Sequence, residues 1–242
     1  MNELLMPAVV IAAALAASTL AAVAGFGGAA IMLPILVWAF GVRDAIPILT
    51  IAQLMGNLSR VWLNFGEVSL PVVRRFALGA VPAALIGGAI FATAPAASLV
   101  RLLGVFLVVV VGYRHTTWGK HQHIGLAGFT PLGAVSAFIS ALLGSVGPFM
   151  APFFLAYGLV KGAYIGTEAL STVVMHVTKL AVYGGYALLD MQSILVGVAI
   201  GGVMLVGSWL GKGILNRVPE AAFPYLIEAV LVVTGLLFIV KG

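Results

Sequence analysis

The chain has 242 residues, of which 62% are hydrophobic and only 8% charged. No soluble fold of this size hides so much apolar surface, so composition points to an all-α polytopic membrane protein and away from a β-barrel, whose short strands would alternate. The net charge of +5 would suggest nucleic acid in a soluble protein, but most Lys and Arg here lie between apolar runs, where they act as orientation signals. Cysteine is absent, which excludes disulfides, thiol catalysis and thiolate metal sites.

Breaks at Gly, Pro and charged residues divide the chain into ten apolar segments, at roughly 4–24, 29–41, 44–65, 72–92, 98–113, 124–143, 148–158, 162–187, 192–211 and 221–240. The first lacks a basic leader and carries Glu3, so it reads as a permanent helix and not a signal peptide. Eight segments are long enough to cross about 30 Å of hydrocarbon, while the second and seventh are short. The order long, short, long, long, long occurs twice. This predicts one membrane domain over 1–242, built from two five-segment repeats: about 1–113 and about 124–242, joined by a cytoplasmic connector at 114–123. If every short segment crosses, the repeats are inverted. One side then collects Arg74, Arg75, Arg114, Lys120, Lys161, Lys212 and Arg217, and the other Arg43, Arg101 and Lys241. The positive-inside rule favours this arrangement, with both termini outside.

A glycine break precedes each short segment: Gly25-Phe26-Gly27-Gly28 in the first half and Gly144-Ser145-Val146-Gly147-Pro148 in the second. Each is followed by a proline (Pro34, Pro152) and then a glycine (Gly41, Gly158). Such breaks end one helix and aim the free N–H groups of the next at whatever fills the gap. Paired broken helices are the best sequence pointer to a transporter's binding site, which makes Gly27, Gly28, Gly147 and Ser145 candidates. Packing alone would explain one such break; two at matched positions favour a site.

The third and eighth segments carry a polar stripe each: Thr50, Gln53, Asn57, Arg60, Asn64 and Glu168, Thr172, His176, Lys179, Tyr183. Steps of three and four residues place each stripe on one helical face. Gln53 pairs with Thr172, Asn57 with His176, Arg60 with Lys179 and Asn64 with Tyr183, always 119 residues apart. A cation inside a membrane helix persists where it pairs or functions, so Arg60 and Lys179 become candidate anion ligands, with snorkelling the competing reading for Arg60. Asn57 and His176 are candidate hydrogen-bond donors, Gln53 and Thr172 candidate lining groups, and Glu168 a candidate coupling residue or the balance for a basic neighbour such as Lys161. His115, His121 and His123 in the connector have no acidic or thiolate companion, so neither a metal nor any other cofactor is expected.

The repeated glycine break, short helix, proline and glycine resemble the sulfite exporter TauE/SafE family of membrane permeases, matched here at Gly25, Gly27, Gly28 and Pro34 and at Gly144, Gly147 and Pro152. Ser145, Val146 and Pro148 depart from the more glycine-rich second motif of many members. The resemblance implies transport of sulfite, a sulfonate or another small sulfur-containing or organic anion across a bacterial inner membrane. The expected function is therefore a secondary transporter working by alternating access, with a small anion and the lipid bilayer as partners and no nucleic acid. A passive anion channel, a membrane scaffold and an intramembrane serine hydrolase using Ser145 and His176 are the other readings. Sequence leaves monomer and homodimer both open.

Overall fold

The computed structural model describes residues 5–24, 28–115, 124–144, 146–214 and 236. Among these are eight α-helices and no strand: α1 (Leu5–Ala24), α2 (Gly28–Leu63), α3 (Leu70–Thr93), α4 (Ala96–His115), α5 (Phe129–Leu143), α6 (Gly147–Ala156), α7 (Lys161–Gly185) and α8 (Met191–Ile214). Short 3-10 turns precede α3 and α5. Gly25, Gly27, Ser145, most of the connector and nearly all of the tenth segment lie outside the described residues.

Local chemistry explains where these helices stop. Ala94 precedes Pro95 and is forced extended (φ −68, ψ 149), which ends α3. Gly144 (φ 84) and Gly158 (φ 96) adopt left-handed backbone after α5 and α6, a conformation that penalises any side chain. α2 is 36 residues long, about 54 Å if straight and far more than a bilayer core. It is not straight: Gly41 takes φ 76, ψ 163, a conformation essentially confined to glycine, and splits the helix at the end of the predicted short segment. Gly28 and Asn57 line the same cavity although a straight helix would hold them about 43 Å apart, so the chain folds back at Gly41. The sequence α6–Gly158–α7 does the same in the C-terminal half, where Gly147 and His176 share that cavity.

Four described stretches are long and apolar enough to cross a membrane: Ile31–Leu63, Leu70–Thr93, Leu126–Leu143 and Met191–Leu210. Helix α7 has 25 residues, sufficient length, but its polar stripe lowers its hydropathy. Trp38, Trp62, Trp209, Leu78, Ile86 and Leu195 face outward, as expected of side chains against acyl chains and headgroups.

The five most extensive helix pairings all join the N-terminal half (through 115) to the C-terminal half (from 124): α3 with α5, α1 with α8, α2 with α8, α2 with α7, and α3 with α7. Glycines make the closest approaches, because lipid-facing helices gain little from the hydrophobic effect and depend on tight packing. A Cβ on Gly133 would lie 2.2 Å from the Phe76 carbonyl oxygen, and one on Gly79 1.9 Å from that of Thr130. Gly87 abuts Phe138 and Ala141; Gly207 abuts Leu15 and Ser18. Contacts of α3 with α5 advance together along both chains, so these helices run parallel. Those of α2 with α7 run oppositely: Arg60 meets Glu168, Asn64 meets Gly166, and Glu67 meets Gly162. Two apolar cores result, one centred on α1, α2 and α8 and the other on α3, α5, α6 and α7.

Candidate functional site

A cavity of about 50 Å³ opens where these two cores meet. A single water needs about 10–15 Å³, so the space suits an ion of about four heavy atoms. Both glycine breaks border it, through Gly28 and Ala29 on one side and Gly144, Val146 and Gly147 on the other. The long helices contribute Gln53, Asn57 and Arg60 from α2, and Glu168, Thr172 and His176 from α7. The two polar stripes therefore face one another across a shared space.

Their hydrogen bonding is uneven. Gln53 Nε2 donates to the Gly144 carbonyl at 3.4 Å, so a helix of the first half satisfies the break of the second. Thr172 Oγ1 donates to Glu168 Oε1 at 3.1 Å, and an Arg60 guanidinium nitrogen donates to Asn57 Oδ1. Arg60 Nη1 also lies 3.6 Å from Glu168 Oε2. By contrast, Asn57 Nδ2 and both ring nitrogens of His176 are buried and make no hydrogen bond among the described residues. Neutral or charged, an imidazole carries at least one N–H, so both residues hold donors with no acceptor among the described residues.

Most residues singled out from the sequence meet here: Gln53, Asn57, Arg60, Glu168, Thr172, His176, Gly28 and Gly147 all line the cavity. Arg60 turns inward, with only 14% of its side chain exposed, rather than snorkelling to the surface. Glu168 pairs with this arginine of the other half and not with Lys161. Lys179 is placed differently from the rest. It is fully buried and donates to Ser140 Oγ at 3.1 Å, and Ser140, not Lys179, forms the wall. Gly27 and Ser145 lie outside the described residues.

Sequence reasoning missed Ser18, Ser140, Ser208, Met150, Met175 and Met204, which also line the cavity. One signal was present for two of them: Ser18 and Ser140 stand within the last two turns of the helix ahead of each glycine break. No group of three or more His, Cys, Asp or Glu among the described residues is arranged to hold a metal.

A multi-pass helical protein whose buried polar cavity is built from two broken helices and two polar stripes has the make-up of a membrane transporter. The sequence model of the family described as Sulfite exporter TauE/SafE matches residues 10–238. The chain belongs to this family, which is one of membrane transporters and not of enzymes. No curated protein matches it, and no solved structure does.

Proposed function

We propose that this protein is a secondary transporter of a small oxyanion, sulfite or another small sulfur-containing or organic anion, bound between two inverted repeats that rock against one another. The observation that carries the reading is the pair Asn57 and His176. They stand at matched positions of the two halves and bring donors without acceptors among the described residues to a cavity that also holds the Arg60 guanidinium. A buried unpaired donor costs about 1–3 kcal/mol, which a bound oxyanion would recover through charge-assisted hydrogen bonds. Arg60 and Lys179 together outnumber Glu168, the one acidic residue in or behind the described wall, so the site favours a negative guest.

Inverted repeats are supported by the opposed run of α2 and α7, which hold equivalent positions in the two halves. The swapped pairings add to this: α1 on α8 answers α5 on α3, and α2 on α8 answers α7 on α3. The cation distribution supports an orientation with both termini outside, and the family likeness suggests a bacterial inner membrane. Glu168 is the candidate coupling residue, since among the described residues it alone offers a carboxylate to the cavity.

The test is uptake of labelled sulfite by proteoliposomes, with and without an imposed pH gradient. Saturable uptake that responds to the gradient and is lost in Arg60→Gln would support the reading. Linear, unsaturable flux would favour a passive channel. No flux of sulfite or any competing small anion in folded protein would overturn it.

A further inference from the structure

We infer that Glu168 is a tethered counter-ion, which occupies Arg60 in the empty cavity and gives way to the transported anion, so that anion binding unlatches α2 from α7. This inference rests on the cavity being an anion site.

The geometry is that of an exchangeable partner. Glu168 Oε2 stands 3.6 Å from Arg60 Nη1, near enough for ionic attraction and too far for a hydrogen bond. That oxygen makes no hydrogen bond among the described residues, whereas Oε1 is held by Thr172. The carboxylate therefore has a second anchor on its own helix and can stay on Thr172 when the guanidinium is taken by another anion. Arg60, Asn57, Glu168 and Thr172 all line the cavity, so a guest there reaches the same guanidinium face. His176 also faces this space, Lys179 lies behind Ser140, and Tyr164 is buried on the same helix as Glu168.

The pair also stands where the halves interlock. Beyond it, a Cβ on Gly166 would lie 3.0 Å from both Asn64 Cβ and Val68 Cγ2. The Ser69 N–H donates to Thr167 Oγ1 at 2.9 Å, and the Glu67 carboxylate covers Gly162. The ion pair is the cavity-facing member of this series of cross-half contacts, hence the member a guest can break. With the site empty, Glu168 neutralises Arg60 and holds this end shut. With an anion on Arg60, the ion pair with Glu168 is broken, and the charge left on Glu168 is offset by the Lys179 ammonium behind Ser140.

A purely structural ion pair and a tethered counter-ion differ in what Glu168→Gln does. Loss of a structural pair disorders the site and weakens anion binding; loss of a competitor strengthens it. In proteoliposomes of the full chain, Glu168→Gln should lower the KM for sulfite at least threefold, and an unchanged or raised KM would overturn the inference. Because the chain has no cysteine, Asn64→Cys with Gly166→Cys gives a clean reporter, with Cβ atoms close to disulfide spacing. Without any anion, this disulfide should form at least fivefold more slowly with Glu168→Gln than with Glu168 present; equal rates would overturn the latch. A small sulfonate, which unlike sulfite does not cleave disulfides, should slow it only when Glu168 is present. Should sulfite fail to cross at all, the anion reading falls, and the ligand-free crosslinking comparison still decides the latch. If Glu168→Gln does not fold, Glu168→Asp retracts the charge by one methylene and should lower KM and crosslinking rate in the same directions.

Discussion

Lys179 donates to Ser140 at 3.1 Å, and this bond crosses from α7 to α5 and sets the ammonium one side chain behind the cavity wall. In the proposed function the lysine would act on a guest through its field and through the orientation of the Ser140 hydroxyl. Within a poorly polarisable interior that field falls off slowly, so a charge behind the wall still matters. Lys179→Met keeps the length and removes the charge. Sulfite flux should fall at least tenfold, while thermal stability holds or rises, because replacing a buried charge by a packed apolar chain relieves desolvation. Flux assays beside thermal melts in detergent check both halves of the expectation.

His176→Ala should separate binding from stability in the opposite sense to a packing mutation. Neither ring nitrogen has a partner among the described residues, so no hydrogen bond to them is lost. The KM for sulfite should rise about tenfold, equivalent to about 1.4 kcal/mol, with a melting temperature close to that of the parent. A variant that instead loses stability and keeps its KM would reduce His176 to a packing residue.

Gly133→Ala should be among the most damaging single-methyl additions in the chain. The new carbon would sit 2.2 Å from the Phe76 carbonyl oxygen, and helix backbones cannot yield as a flexible side chain can. Overpacking of this kind costs about 1–3 kcal/mol. Gly202→Ala in α8 meets no atom within 4 Å and should be neutral or stabilising, by at most about 1 kcal/mol. Thermal melts of the two side by side isolate the seam between α3 and α5.

Gly41→Ala tests backbone conformation alone, since a Cβ there has open space around it. The φ of 76 with ψ of 163 should make alanine less stable by about 1–3 kcal/mol. The fold-back of α2 depends on this residue, so transport should fail together with stability.

Asp190 provides a pH-dependent check outside the membrane. It precedes α8, and its Oδ1 accepts the Ser193 N–H at 2.7 Å, which holds the carboxyl below the usual aspartate range. A pKa depressed by folding contributes stability above the unfolded value and loses it as pH falls through the folded one. Melts of the parent and Asp190→Asn should therefore converge in acid and separate toward neutral pH.

Much of the site was legible because a helical stripe has a fixed period. Asn57 and His176, or Gln53 and Thr172, needed only steps of three and four residues and a constant offset to be placed on facing helices. The short helices were legible through Gly41 and Gly158, whose positive φ values no other residue type adopts so readily. Period says nothing about what stands between a residue and a cavity, so Lys179 looked equivalent to Arg60 until Ser140 was seen in front of it. The partner of Glu168 was hidden for a related reason: Arg60 is 108 residues away, and only the opposed packing of α2 and α7 joins them. Ser208 and the three methionines carry no distinguishing pattern in helices already rich in small and apolar residues.

The exchanged seams have a consequence for how the chain is made. α1 seats on α8, nearly two hundred residues later, and α3 seats on α5 across the connector. The first half thus emerges from the ribosome with two unfinished faces and must wait in the lipid until its complement is synthesised. Of the described helices α8 is the last to arrive, so a truncation before residue 191 should strand the opening helix as a quality-control substrate even though its own sequence is intact.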